Sequence, residues 1–197
     1  MHARKKTFND LRLSIPENVY GPREDSYLLA RALENEWNVE RALDLGTGSG
    51  IMGLTLALNK AKRIVVADVA GEALRIAREN FKRNGFRRGI SFVQSDLFAK
   101  IKGKFDLIAF NPPYVPSENI KWLDTDGGKR GREVLDRFLH QFPVHLKARG
   151  KCYFVQSSLN GLAKTKKMLR EQGLSCEVVA REKMAFEELF VIKAYWQ

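Results

Sequence analysis

From residue 42 onward, short β-rich runs alternate with stretches of helical period, an order that argues for a largely parallel α/β sheet. The runs fall at 42–45, 63–68, 90–94, 105–110, 151–156, 176–181 and 189–194. Between them, 72–84 carries Ala73, Ile76, Ala77 and Phe81 on one face and stops at Gly85, a suitable C-terminal cap. The stretch 133–142 places Val134, Phe138 and Phe142 similarly, and 162–172 ends at Gly173. The last two runs are separated only by 182–188, too little for a crossover helix, so they are expected to pair antiparallel. The expectation is a three-layer α/β sandwich of five βα units closed by an antiparallel C-terminal hairpin. At 197 residues this is one domain, 1–197, with 1–18 read as a basic N-terminal arm.

Several function classes are disfavoured at once. No stretch approaches the roughly 18 consecutive apolar residues of a membrane span, and the polar start lacks the apolar centre of a signal peptide, so a cytosolic location is expected. Cys152 and Cys176 sit in apolar alternating segments and read as small buried hydrophobes. His2, His140 and His145 form no metal-ligand spacing with them, and no metal is expected. The formal charge of +11 raises a polyanionic partner, RNA or DNA, although the basic residues are spread among acids.

The run 42–45 ends in Asp44-Leu45-Gly46-Thr47-Gly48-Ser49-Gly50, where an open parallel sheet binds its cofactor and where glycines let a ligand approach the backbone. Gly48 to Gly53 also matches G-x-G-x-x-G, with Asp68 near the spacing of a ribose-binding acid, so a dinucleotide enzyme competes. The whole D-x-G-x-G-x-G segment resembles the signature of S-adenosylmethionine enzymes, and the strand count resembles the Rossmann-like seven-stranded class I methyltransferase fold. That resemblance implies S-adenosylmethionine as cofactor. Gly46 and Gly48 would line its methionine portion, Asp44 would order the loop, Asp68 would take the ribose hydroxyls, and Asp96 and Leu97 would meet the adenine.

Asn111-Pro112-Pro113-Tyr114 follows the apolar run 105–110 and narrows the chemistry. A planar NH2 nitrogen attacks poorly unless acceptors hold its protons and turn its lone pair toward the electrophile. Asn111 offers a side-chain oxygen and Pro112 a backbone carbonyl. The two prolines stiffen the turn, and Tyr114 can stack on the planar group. Asn111, Pro112 and Tyr114 are the candidate catalytic residues, with Asn111 also facing the methyl donor and Pro113 contributing to substrate binding. Positioning of this kind can supply about 7–11 kcal/mol of a transfer barrier.

Adenine, cytosine, guanine and glutamine all present such a nitrogen, so flanking segments must choose. Val19-Tyr20-Gly21-Pro22-Arg23-Glu24-Asp25-Ser26-Tyr27-Leu28-Leu29 and Gly127-Gly128-Lys129-Arg130-Gly131-Arg132-Glu133-Val134-Leu135-Asp136-Arg137-Phe138 resemble segments of the HemK-type protein-glutamine methyltransferases, in their archaeal and eukaryotic release-factor branch. The resemblance implies methylation at N5 of the glutamine in the Gly-Gly-Gln tripeptide of a class I translation release factor. It makes Tyr20, Asp25, Gly128 and Arg132 candidate substrate-binding residues. It also implies a small zinc-binding activator subunit on the edge strand 90–94, giving a heterodimer. The alternative is N-methylation of an exocyclic base amine in RNA or DNA, which the positive charge favours slightly. Only about 20 residues separate the NPPY segment from the next helix, too few for a DNA target-recognition domain.

Overall fold

The computed structural model describes residues 3–8, 10–16, 21–117 and 125–197. In chain order its elements are β1 (Ala3–Phe8), β2 (Leu11–Pro16), α1 (Glu24–Leu33), β3 (Arg41–Leu45), α2 (Ile51–Leu58), β4 (Arg63–Asp68), α3 (Gly71–Arg83), β5 (Ile90–Gln94), β6 (Phe105–Phe110), α4 (Glu133–Gln141), β7 (Leu146–Ser157), α5 (Leu162–Glu171), β8 (Leu174–Lys183) and β9 (Glu188–Trp196). Seven strands form one sheet in the order β5-β4-β3-β6-β7-β9-β8. The first five of these are parallel, and β9 runs antiparallel to both β7 and β8. The expected seven-stranded sheet and its C-terminal hairpin are therefore present.

Strand β3 lies at the centre of the parallel half and is buried from Ala42 to Leu45. This is why it reads as an uninterrupted apolar run broken only by Asp44. Its side chains alternate between two cores. Ala42 joins a cluster with α1, α2 and α3, while Leu43 and Leu45 join the opposite one with α4 and α5. The chain leaves β3 toward β4 on one side and reaches β6 on the other, so the ends of β3 and β6 flank the switch point of the sheet.

Two expectations need correction. The unit between β5 and β6 has no helix. Its residues make tight turns, with Leu97 at φ 44°, and bury Leu97, Phe98 and Ile101 directly against α4 and the sheet. Phe98 stacks between Phe138 and His145, so three apolar side chains cover the sheet where a helix was expected. The second correction concerns the basic arm. Strands β1 and β2 pair antiparallel, with Lys5 opposite Ser14 and Phe8 opposite Leu11. Leu11, Leu13 and Ile15 are each only 1% exposed, because the inward face of β2 joins the α1–α3 core. Cys152 is buried as expected and Cys176 only half-buried, and both are free thiols.

Among the described residues no helix is long and apolar enough to cross a membrane. Nor does any group of three or more His, Cys, Asp or Glu side chains there form a metal site.

Candidate active site

A cavity of about 560 Å³ opens at the C-terminal ends of β3, β4, β5 and β6. Gly46, Gly48, Asp68, Asp96, Leu97, Asn111 and Pro113 all line it, so residues expected from four separate segments meet in one place. The glycines differ in what they require. Gly46 has φ +61°, and a Cβ there would lie 2.8 Å from the Phe110 ring. Gly48 has φ +51° but open space where its Cβ would be, so only its backbone conformation favours glycine.

Asp68 fastens this loop to β4. One carboxylate oxygen accepts from the Gly48 N–H at 3.0 Å and the other from the Ala70 N–H at 2.9 Å. Asp96 pairs with Arg137 of α4 at 2.7 Å, both half-exposed at the cavity mouth. Arg137 and Val134 also line the cavity, although the sequence assigned neither to the site. The signal was available in their i, i+3 spacing on the helix face opposite Leu135 and Leu139.

Asp44 stands behind the loop and does not line the cavity. It is fully buried, with Oδ2 accepting from the Thr47 hydroxyl at 2.6 Å and the Gly53 N–H at 2.8 Å. Burial pushes its carboxyl up to about 7, against the lowering effect of those two hydrogen bonds. An acid whose pKa is raised on folding stabilises the native state fully below its unfolded value and loses that contribution as pH rises through the folded value. The Asp44 contribution, on the order of 4 kcal/mol, is therefore expected to be lost between about pH 4 and about pH 8. Asp44→Asn keeps an acceptor for Thr47 and Gly53 without a titrating group. Urea unfolding across that range should show a flatter profile in the variant, and parallel profiles would contradict the assignment.

Asn111 begins immediately after β6, and its amide is oriented by α1. Its Nδ2 donates to Asp25 Oδ2 at 3.1 Å and, at 3.4 Å, to Ser26 Oγ. The Tyr114 hydroxyl donates to the same Asp25 oxygen at 3.3 Å. Asp25 Oδ1 accepts from the Ser26 N–H at 2.6 Å and from the Ser26 hydroxyl at 3.2 Å. With its NH2 engaged in this way, Asn111 keeps Oδ1 as a buried acceptor without a hydrogen-bond partner among the described residues. A buried acceptor left unpaired costs about 1–3 kcal/mol, and Asp44 Oδ1 and the Gln156 amide carry the same cost among the described residues.

The glycine-rich segment packs against the NPPY turn and does not line the cavity. Gly128 is buried, and its φ of +72° lets the chain turn where a Cβ would strike Glu133. Gly127 lies so close to Pro113 that a Cβ would sit 2.7 Å from its carbonyl oxygen. The Gly127 N–H also donates to the Val115 carbonyl at 2.9 Å. Asn160 completes the support, donating to the Tyr114 carbonyl at 2.9 Å and the Arg130 carbonyl at 3.2 Å. The segment thus buttresses the NPPY turn. Arg132 is also turned inward. The residue is 6% exposed, and its guanidinium donates to the Asn160 carbonyl, Thr165 and Asp136. Burial would raise the Asp136 pKa, but hydrogen bonds from Arg132 and Lys164 outweigh it and hold the carboxyl below its ordinary value. Tyr20 lies outside the described residues.

Residues 23–187 match the family described as "Methyltransferase small domain". The chain is 42% identical over 191 residues to a Methanocaldococcus jannaschii protein whose name gives protein N5-glutamine methyltransferase as its provisional activity, with 94% of this chain and 95% of that one covered. It is 33% identical to mouse methyltransferase HEMK2, covering 89% of each chain. Among solved structures it resembles a chain of the E. cuniculi Mtq2–Trm112 complex, described as responsible for methylation of the eRF1 translation termination factor. The TM-score is 0.70 at 30% identity, with 91% of this chain and 99% of that one covered.

Proposed function

The chain belongs to the methyltransferase small-domain family, in its HemK-type protein-glutamine branch, and from that membership we propose that it methylates the N5 nitrogen of the glutamine in the Gly-Gly-Gln tripeptide of a class I translation release factor. The observation that carries this reading is the Asn111 Oδ1 atom, a buried acceptor with no hydrogen-bond partner among the described residues, on a residue of a cavity already lined by acids and glycines.

The cavity's donor set fits S-adenosylmethionine. Asp68 would hold the ribose hydroxyls, Asp96 and Leu97 the adenine, and Gly46 and Gly48 the methionine portion, with Asp44 fixing the loop from behind. When bound, S-adenosylmethionine supplies an electrophilic methyl group on a positively charged sulfur. The chain's own residues prepare the nucleophile. Asn111 Oδ1 and the Pro112 carbonyl each accept a hydrogen bond from the glutamine NH2, turning its lone pair toward the cavity. Those same acceptors stabilise the positive charge that develops on the nitrogen. Tyr114, its hydroxyl tethered to Asp25, stacks on the planar amide. No side-chain base is required, because the methylated nitrogen is acidic and releases its extra proton to water.

The sheet also offers an edge for a partner. Among the described residues strand β5 has a neighbouring strand on one side only, and Ile90, Phe92 and Val93 along it are half-buried. An apolar edge of this kind invites a covering chain. We assign it to an activator subunit, since the similar Mtq2 chain is found in a complex with a partner, Trm112; the resemblance to the HemK-type family makes that subunit small and zinc-binding.

One assay tests substrate and partner together. Labelled methyl transfer is measured to a release factor, to the same factor carrying Gln→Ala in its Gly-Gly-Gln tripeptide, and to bulk tRNA and rRNA. Each is run with the chain alone and with an activator subunit. Label is expected only on the unaltered factor and chiefly with the activator present. Label surviving the Gln→Ala change, or appearing on RNA alone, would overturn the substrate assignment. Full activity of the chain by itself would overturn the partner.

A further inference from the structure

Helix α3 is pressed on one side against the glycine loop and on the other against the N-terminal hairpin. On the loop side, a Cβ added to Gly50 would lie 3.2 Å from the Ala77 Cβ, and one added to Gly53 would lie 2.9 Å from the Phe81 ring. Between these contacts, Asn80 Nδ2 donates to the Ser49 carbonyl at 2.9 Å. Residues 77, 80 and 81 share one helix face by their i, i+3, i+4 spacing.

On the hairpin side, the Ser14 N–H donates to Asn80 Oδ1 at 2.8 Å. One turn further, Asn84 Oδ1 accepts from the Arg12 N–H at 2.8 Å, and Asn84 Nδ2 donates to the Arg12 carbonyl at 3.0 Å. Four residues of helix rise about 6 Å, and two residues of strand about 6.7 Å. Two asparagines one turn apart can therefore stand in for a neighbouring strand along the outer edge of β2. Asn80 is 0% exposed and its amide has one workable orientation, since a backbone N–H can only donate and a carbonyl only accept. A single side chain thus ties Ser14 to Ser49, the residue between Gly48 and Gly50, all within a loop whose glycines hold positive φ.

We infer that Asn80 is a positioning residue through which the docked N-terminal hairpin sets the glycine loop and hence the affinity for S-adenosylmethionine. The inference rests on the cofactor reading given above. Without Asn80, the Ser49 carbonyl loses its anchor and the loop samples shapes that do not match the ligand. Asn84 makes two hydrogen bonds to the hairpin and one to the Asn80 carbonyl but does not touch the loop, which makes it the control for the loop contact itself.

The test is calorimetric titration of the full chain with S-adenosylhomocysteine, with kcat measured separately at saturating S-adenosylmethionine. Asn80→Ala is expected to weaken binding roughly tenfold while kcat changes less than about twofold, and Asn84→Ala to change binding less than about twofold, although both lower thermal stability. Ser14→Pro removes the hairpin donor on an outer edge that tolerates proline, and is expected to weaken binding about threefold. Equal effects of Asn80→Ala and Asn84→Ala on binding would overturn the inference. Should Asn80→Ala fail to fold, unchanged binding in Ser14→Pro overturns it instead. A wild-type chain that does not bind S-adenosylhomocysteine would refute the cofactor reading itself, and the inference with it.

Discussion

Asn111→Ala is expected to lower kcat for methyl transfer roughly a thousandfold while changing cofactor affinity less than about fivefold. The asymmetry follows from where its two polar atoms point. Nδ2 is held by Asp25, and the unpartnered Oδ1 is the acceptor assigned to the glutamine NH2. Without that acceptor the nucleophile's lone pair is no longer aimed, and charge developing on nitrogen loses one of two stabilising groups. Apoprotein stability should hardly fall, because the substitution also removes a buried unsatisfied acceptor. Thermal unfolding in parallel with the kinetics separates these effects. A variant that loses cofactor binding as steeply as turnover would show that Asn111 serves the cofactor instead.

Asp25→Asn is the second large effect, expected to lower kcat at least a hundredfold and as severely as Asp25→Ala. Four donors converge on the Asp25 carboxylate: the Ser26 N–H and hydroxyl, the Asn111 NH2 and the Tyr114 hydroxyl. Only a group with two acceptor oxygens satisfies that set. An asparagine there must turn an NH2 toward one donor or the other. Relief comes most directly if Asn111 flips, which would present its own NH2 to the substrate in place of Oδ1. The ordinarily conservative substitution should thus be as harmful as truncation. Near wild-type turnover in Asp25→Asn would mean that Asn111 is oriented by something else.

The strand-end residues were legible because the polypeptide places them by local rules. A parallel strand buried on both faces announces itself as an apolar run, and the residue just after it lies at the edge of the sheet where ligands bind. Asp68, Asp96 and Asn111 were found in this way, and Gly46 and Gly48 by the tight turn that follows β3. Composition and period also determined the C-terminal hairpin, since seven residues cannot build a crossover.

What only the tertiary structure decided involves partners distant along the chain. Asn111 and Asp25 are 86 residues apart, and no local pattern says that an acid in the first turn of α1 will grip the amide after β6. The same holds for Arg132, whose guanidinium turns inward to the Asn160 carbonyl and Thr165, and for the glycine segment, which proved to be a buttress. Basic residues masked the N-terminal hairpin, because only the alternate positions Leu11, Leu13 and Ile15 face the core and their burial requires α1 and α3 to be in place. The sequence by itself determined the fold class and the chemistry of the atoms at each strand end. Tertiary packing decided which way those atoms point, because a side chain's free acceptor is defined by the donors that others have already engaged.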